Sequence, residues 1–210
     1  MFRSAAIAAS IVISLGAATL LSGCKIVPIA NEQNAESKGF DAKAFAEGLW
    51  STKALPYFGT AAKPLADVRV AIAADINAAG QKFGYRPSTE GSPWSFIVTG
   101  TGTVKEKNTQ SRAGTLVVTV DGADITLQIG PVVKGNVIRD SLPFVSFKDF
   151  TNQIEYADAG KALTALAITP VTAASTSIAI GSKVTFIGAM ALNAATDPQL
   201  VTPVELSVVK

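Results

Sequence analysis

The stretch WSFIVTGTGTVKEK, residues 94–107, decides the fold because the pattern of the chain changes here from helical to extended. Apolar and polar residues alternate along it, and this period of two is typical of a half-buried β-strand. The Gly100-Thr101-Gly102 triplet lies inside the strand and opens no helix, which argues against a phosphate-binding loop. Glycines within a strand favour a sharp bend, so we predict a long, bent strand that begins a small β-barrel.

Downstream of this strand, the sequence predicts two more strands, a helix and a final pair of strands. The Asp121-Gly122 pair marks a tight turn between the second and third strands. In the helix, Phe150, Ile154 and Ala157 are expected to face inward. The predicted segments are RAGTLVVTVDG (112–122), ADITLQIGPVVKG (123–135), the helical SFKDFTNQIEYADAGKALTAL (146–166), SKVTFIGAMAL (182–192) and VTPVELSVV (201–209).

This order of elements, β-β-β-α-β-β, is that of the OB-fold, a five-stranded and partly open Greek-key barrel. We therefore predict a mainly β fold with helices, of the α+β class, in which residues 91–210 form an OB-like barrel. An open α+β sheet built from the same elements is the alternative architecture.

Residues 39–90 carry a helical pattern and are predicted to form a layer packed on the barrel. A first helix fits Phe40–Trp50, with Asp41 as its N-terminal cap and Pro56 as the residue that stops it. A second helix fits Leu65–Lys82, because apolar residues recur along it at spacings of three and four.

The first 23 residues have the features of a targeting segment. Arg3 makes the start positive, residues 5–21 are uncharged and apolar, and small residues precede a cut between Gly23 and Cys24. The sequence LSGC at 21–24 resembles the lipobox of bacterial lipoproteins. This resemblance implies a diacylglyceryl thioether on Cys24, cleavage before it and acylation of the new amino terminus. An ordinary signal peptide with a chance cysteine and an uncleaved membrane helix are the alternatives.

Residues 24–38 then form a lipidated tether, which is polar after its first few residues and lacks periodicity. Two or more acyl chains hold a protein stably on a membrane, whereas one chain does so only marginally. The predicted location is the periplasmic side of a bacterial membrane. Lys25 follows the cysteine, where an Asp would favour inner-membrane retention in the enterobacterial scheme, so the outer membrane is slightly favoured.

The composition excludes several function classes. Lys and Arg number 18 against 16 Asp and Glu, and a formal net charge of +2 supplies no basic field for nucleic acid. With no histidine and one cysteine, a Ser-His-Asp triad, the usual zinc sites and an internal disulfide are excluded. We predict a protein that is not an enzyme and has no metal, no cofactor and no nucleic-acid partner. A hydrolase using two carboxylates is the less favoured alternative, since Asp149, Glu155 and Asp158 are expected on a solvated helix face.

The candidate binding residues lie mainly in the segment 130–158. Arg139 offers five donors for carboxylates, phosphates or sugar hydroxyls, while Asn152 and Gln153 offer amides. Arg139 and Asp140 are adjacent, so their side chains are not expected to face each other along a strand. The favoured interpretation is structural, with Arg139 and Asp140 tying down a long connection and Asn152 and Gln153 capping or buttressing that connection. Rings that stack on a sugar face are available at Phe144, Phe147 and Tyr156.

A second candidate surface follows from the barrel itself. OB-folds bind ligands on the face of their second and third strands and on the first and last inter-strand loops. We predict these loops at Lys105–Arg112 and at Asn193–Pro203. The basic candidates for ligand contact in the first loop are Lys105, Lys107 and Arg112.

The segment IGPVVKGNVIRDSLPFVSFKDFTNQIEYA (129–157), with the lipobox, WSFIVTGTGTV and the closing GAMAL and TPVEL, resembles a family of predicted periplasmic lipoproteins without an assigned activity. The resemblance covers nearly the whole chain. It implies that the protein is encoded beside components of a sugar ABC transporter, as members of this family often are. The expected function is that of a lipid-anchored protein that binds an oligosaccharide, or a protein partner such as a sugar-uptake component. The alternative is a structural or assembly lipoprotein with no small ligand.

Overall fold

The computed structural model describes residues 39–87 and 91–209. The predicted signal peptide (1–23) and lipidated tether (24–38), with Gly23 and Cys24, lie outside the described residues. From Gly39 onward the chain forms one compact unit. Within the described ranges, no helix combines the length and the apolar character that a membrane span requires.

The N-terminal part is helical, as predicted, but its helices divide differently. Asp41 caps the first helix by accepting a hydrogen bond from the Ala44 N–H at 2.9 Å, as expected. Pro56 does not end the helical segment. It lies in the first turn of α2, directly after a π-helical turn, a position at which proline is tolerated. In chain order the elements are α1 (Ala42–Leu49), a π-helical turn (Trp50–Ala54), α2 (Leu55–Ala61), β1 (Lys63–Pro64), α3 (Leu65–Ala74), α4 (Ile76–Phe83) and β2 (Gly84–Tyr85).

The single helix predicted over Leu65–Lys82 is wrong, since the chain breaks at Asp75 into α3 and α4. The backbone of Asp75 is extended, with φ −164° and ψ 115°, which ends α3. Its carboxylate then accepts hydrogen bonds from Asn77 N at 2.7 Å and Ala78 N at 3.0 Å. An aspartate that caps a helix start in this way competes with a continuous helix.

The predicted order of three strands, a helix and two strands is confirmed. The strands close into a barrel in the order β3-β4-β5-β7-β6, and β6 pairs back with β3. β5 and β7 pair in parallel and the other long strands pair antiparallel. The elements are β3 (Trp94–Asn108), β4 (Thr115–Val120), β5 (Ala123–Gln128), α5 (Val137–Asp140), a 3₁₀ turn (Phe147–Asp149), α6 (Gln153–Ser175), β6 (Lys183–Leu192) and β7 (Leu200–Val208).

β3 is long because it pairs with two strands, β6 along its first part and β4 along its second. Its residues from Trp94 to Thr103 pair with β6, and those from Thr103 to Asn108 pair with β4. Gly102 lies where these pairings meet, and a Cβ there would be 2.3 Å from the backbone oxygen of Thr119. The glycine is required because two strands approach each other too closely for any side chain.

The turn between β4 and β5 forms at the predicted Asp121-Gly122 pair. Asp121 has φ 52° and Gly122 has φ 80°. Positive φ at both central residues defines the type I′ turn, whose twist matches that of the two strands.

α6 differs from its prediction in position and in inward face. It begins at Gln153 and runs to Ser175, whereas the predicted helix covered residues 146–166. Ile154, expected inside, is 54% exposed, while Glu155 is buried and not on a solvated face. The Glu155 carboxylate turns back to accept a hydrogen bond from Thr151 N at 2.9 Å, which compensates its burial.

Helices close both ends of the barrel. Leu65, Val68 and Ile72 of α3 join the barrel core near the β4–β5 turn, and Ile168 and Val171 of α6 join it at the other end. On the outside, α1, α2, α5 and α6 pack over the outer face of β3, β6 and β7 in a second apolar cluster.

The N-terminal elements are also part of the sheet. β1 pairs in parallel with β3 at Val98 and Thr99, and β2 pairs antiparallel with it at Ser95 and Phe96. The predicted helical layer therefore packs on the barrel and extends its sheet through hydrogen bonds.

Candidate functional site

A groove of about 390 Å³ opens beside the first turn of α6, and we call it the Tyr156 groove. Its volume falls in the range of about 300–1,000 Å³ that is common for small-molecule sites. Six of its residues belong to the segment 130–158, and four of these are residues for which the sequence predicts binding or aromatic stacking, namely Arg139, Asp140, Phe147 and Tyr156. The described residues that line it are Pro87, Ser92, Pro93, Arg139, Asp140, Ser146, Phe147, Lys148 and Tyr156.

Arg139 and Asp140 form an ion pair in the wall of the groove. Arg139 donates from Nε to Oδ1 of Asp140 at 2.8 Å, and its Nη2 lies 2.7 Å from the same oxygen. The expectation that the two side chains would not face each other is wrong. Both lie on the short helix α5, where adjacent side chains are about 100° apart and not on opposite faces, and the long Arg139 side chain folds back to the Asp140 carboxylate. The Arg139 side chain is 10% exposed and the Asp140 side chain 28% exposed, so the carboxylate is the more accessible partner.

Arg139 also fixes the position of Tyr156. Its Nη1 donates to the backbone oxygen of Tyr156 at 3.0 Å, and its guanidinium carbon lies 3.6 Å from the centre of the ring. A guanidinium at this distance is attracted to the aromatic face. Burial raises the pKa of the Tyr156 hydroxyl, so the phenol is neutral at physiological pH.

Phe147 provides the exposed ring of the groove. It is 47% exposed and packs edge-on against Tyr156, with ring centres 5.6 Å apart. The 3₁₀ turn that carries Phe147 and Lys148 is held by a capping box between Ser146 and Asp149. Ser146 N donates to Oδ2 of Asp149 at 2.8 Å. The ring is therefore presented on a fixed turn.

A cluster of aromatic rings connects Tyr156 to the N-terminal end of the described domain. Phe150 contacts Tyr156 at 5.3 Å between ring centres and Phe45 at the same separation. Phe40 contacts both Phe45 and Phe150, at 5.6 and 5.4 Å. This aromatic cluster anchors the N-terminus of the domain beside the groove.

Asp140 is the group in the groove best placed to bind a ligand. Within the described part of the chain, Oδ1 takes both contacts from Arg139 and Oδ2 has no hydrogen-bond partner. An ionised carboxylate oxygen accepts hydrogen bonds strongly, and a pair of ligand hydroxyls is a suitable donor. The described residues contain no cluster of three or more His, Cys, Asp or Glu side chains that would hold a metal.

Asn152 and Gln153 do not line the groove. Asn152 is the N-cap of α6 and accepts hydrogen bonds from Ile154 N and Glu155 N, both at 2.9 Å. Gln153 is exposed at the first position of the helix. The structure thus gives Asn152 the capping role and separates both amides from Asp140.

The basic residues predicted in the first loop do not converge on a ligand site. Lys105 and Lys107 lie within β3, because the strand continues to Asn108 and the loop covers only 109–114. Lys105 Nζ donates to Asp124 Oδ2 at 2.6 Å, and this bond lowers the pKa of the Asp124 carboxyl. Lys107 Nζ donates to backbone oxygens of Ser175 and Ile178, both at 2.7 Å, at the C-terminal end of α6.

Arg112 is the basic candidate that does lie in the loop, where it is exposed. A cavity of about 310 Å³ adjoins this loop, but the Lys107 ammonium at its edge is already bound to the end of α6. The last loop is also shorter than predicted, because β7 begins at Leu200 and buries Pro203 within the strand. The surface expected from OB-folds is thus less developed as a ligand site than the Tyr156 groove.

A second cavity, of about 520 Å³, is not predicted by the sequence, and we call it the Trp94 cavity. Trp94 Nε1 donates to Oδ1 of Asn77 at 3.1 Å, and the Arg86 guanidinium carbon lies 4.2 Å from its ring centre. Gly80 lies against the ring, where a Cβ would come within 2.1 Å of it. The described residues that line it are Asn77, Gly80, Gln81, Gly84, Tyr85, Arg86 and Trp94.

The comparisons with known proteins agree with the OB-like fold and with the prediction of a periplasmic lipoprotein. The family model described as Predicted periplasmic lipoprotein (DUF2291) matches residues 14–207. The crystal structure of an OB-fold protein from Thermotoga maritima is similar, with a TM-score of 0.67 and 20% sequence identity, over 81% of this chain and 99% of that chain. At this identity the likeness shows the fold alone, and it confirms the predicted OB-like architecture. No curated protein matches the chain.

Proposed function

Since the chain belongs to the family of predicted periplasmic lipoproteins, we propose that lipid on Cys24 anchors it to a membrane and that it binds a carbohydrate in the periplasm. The binding site is the Tyr156 groove. The partner that delivers or receives this ligand is a component of a sugar-uptake system, and the outer membrane is the favoured anchor.

The observation that carries the proposal is the meeting of Asp140, Phe147 and Tyr156 in one groove. Sugars present apolar C–H faces and hydroxyl edges, so they need a ring for the face and a strong acceptor for the edge. Phe147 supplies an exposed ring, and Oδ2 of Asp140 supplies the acceptor. Their positions are set by Arg139 and by the capped 3₁₀ turn, so little order has to be gained on binding.

The charges of the groove favour a neutral saccharide over a strongly charged ligand. Arg139 and Asp140 compensate each other at 2.7 Å, which leaves Lys148 as the remaining formal charge among the described lining residues. A ligand with several phosphates needs a cluster of cations or the free N–H groups of a helix N-terminus. The groove has one lysine, and at the start of α6 the N–H groups of Ile154 and Glu155 already donate to Asn152.

The groove supports binding without catalysis. Among the described residues that line it, Asp140 is the one carboxylate. Glycoside hydrolysis ordinarily uses two carboxyl groups about 5–10 Å apart, one on each side of the scissile bond. Glu155, in the first turn of α6, accepts a hydrogen bond from the backbone N–H of Thr151.

Replacing Phe147 by alanine is expected to weaken saccharide binding about tenfold, because the stacking ring is lost. Calorimetric titration with neutral mono- and oligosaccharides measures the affinity. Ile154→Ala is the matched control, since Ile154 is similarly exposed but does not line the groove. The proposal is wrong if no saccharide binds, or if both variants bind as the unmodified protein does. A stoichiometric protein captured by crosslinking, with no saccharide binding, would support an assembly role instead.

Replacing Cys24 by serine is expected to move the full-length protein from the membrane fraction to the soluble periplasmic fraction. The hydroxyl cannot form the thioether, so the acyl chains that hold the protein are not attached. Fractionation followed by immunodetection measures the distribution, with Ser37→Ala as the tether control. A Cys24→Ser protein that has the mass of the cleaved chain and still remains in the membrane fraction would contradict the lipid anchor, because the apolar segment 5–21 is then absent.

A further inference from the structure

The Trp94 cavity and the Tyr156 groove are neighbours on the surface. Arg86 of the cavity is followed directly by Pro87 of the groove, and Pro93 of the groove is followed by Trp94 of the cavity. Since consecutive Cα atoms are about 3.8 Å apart, the walls of the two hollows meet at both peptide bonds.

Tyr85 gives a second link between the two hollows. It lines the Trp94 cavity, and after burial and Asp140 it contributes to raising the pKa of the Tyr156 hydroxyl in the groove. The two hollows therefore share a border that contains aromatic rings on both sides.

The Trp94 cavity has a lining suited to polar, uncharged groups. The Asn77 oxygen is occupied by Trp94, which leaves its amide NH₂ as a donor, and the exposed Gln81 offers both a donor and an acceptor. Among the described residues of the lining there is no carboxylate, and Arg86 is the one cation. Amide and guanidinium groups are suited to hydrogen-bond with sugar hydroxyls, the role proposed for Asp140 in the neighbouring groove.

The Trp94 cavity is pre-formed. α4 is held on the start of β3 by the Asn77–Trp94 hydrogen bond, and β2 is held there by its pairing with Ser95 and Phe96. With the exception of Arg86, which follows β2 directly, the described lining residues thus belong to elements whose positions are fixed before a ligand arrives.

We propose that the Trp94 cavity is a second subsite for the ligand of the Tyr156 groove, contacted through Gln81 and Arg86. The ligand is therefore an oligosaccharide of at least two units, with one unit in each hollow. This inference rests on the proposed function, because the first unit occupies the groove.

Calorimetric titration of the full domain with glucose, maltose and maltotriose, and with xylose, xylobiose and xylotriose, tests the subsite. In at least one series we expect affinity to rise about tenfold from one unit to two or three. Gln81→Ala is expected to remove most of this gain and to leave the affinity for the single sugar unchanged. Gln110→Ala is the matched control, since Gln110 is an exposed glutamine in the loop 109–114 and lines neither hollow.

The outcomes separate the two proposals. If no sugar of either series binds, the proposed function and the subsite are both wrong. If single sugars bind and longer ones bind no more tightly, the groove is a sugar site and the subsite is wrong. The subsite is also overturned if Gln81→Ala weakens single and longer sugars equally, and Arg86→Met serves as a second variant for this comparison.

Discussion

Replacing Gly102 by alanine is expected to lower the free energy of unfolding by about 3 kcal/mol, close to the upper end of the cost of overpacking a core. The added Cβ would lie 2.3 Å from the Thr119 backbone oxygen and 2.8 Å from methyl groups of Val118 and Val120. A flexible side chain could move away, but the oxygen belongs to the β3–β4 pairing and can move only with the strand. The substitution therefore strains the barrel where β3 passes from β6 to β4.

Gly48→Ala is the matched control for this substitution. Gly48 lies in α1, has ordinary helical backbone, and a Cβ added to it would meet no atom of residues 39–87 or 91–209 within 4 Å. Alanine there is expected to stabilise the protein by about 0.5–1 kcal/mol, because glycine in a helix loses more backbone entropy on folding. Urea unfolding followed by circular dichroism measures both variants. Equal midpoints for the two variants would contradict the close approach at Gly102.

The barrel could be predicted from the sequence because its signals are local. Alternation along β3 and the Asp121-Gly122 turn both depend on residues next to each other in the chain. The element order then selects the OB-like topology. The division of the helical part is different. The chain stays helical past Pro56 and breaks at Asp75, and both features depend on which residue starts each helix. Periodicity does not contain that information, since a cap changes the backbone without changing the apolar spacing.

The site could be predicted only in part, for a similar reason. Arg139, Asp140, Phe147 and Tyr156 fall in the segment that the sequence singles out, and the structure brings them together. Asn152 lies in the same segment, yet its amide caps α6, because polar residues that precede a helix often satisfy its first N–H groups.

The Trp94 cavity could not be predicted, because its walls come from α4, β2 and the start of β3. In the sequence, Gly80 indicates the end of a helix and nothing more. Its actual role is to let α4 approach the Trp94 ring, and only the tertiary structure shows this contact. A cavity formed between elements has no periodic signal along the chain.

Replacing Arg139 by methionine is expected to lower the free energy of unfolding by about 2–4 kcal/mol, because breaking a buried ion pair leaves its partner without compensation. Methionine keeps much of the apolar volume over Tyr156 but removes both contacts to Asp140 and the bond to the Tyr156 backbone oxygen. Asp140 is 28% exposed, so water restores part of its solvation and the cost stays below that of a fully buried charge. Urea unfolding measures the loss.

Lys161→Met is the matched control, because it breaks an ion pair of nearly the same length. Lys161 and Asp158 lie 2.8 Å apart, but their side chains are 75% and 41% exposed, so the loss should not exceed about 0.5 kcal/mol. Burial, and not the distance between the charges, then decides the difference between the two variants. Asp140→Asn added to Arg139→Met should recover part of the loss, since no uncompensated carboxylate remains. Equal losses for Arg139→Met and Lys161→Met would show that Arg139 does not hold the wall of the groove.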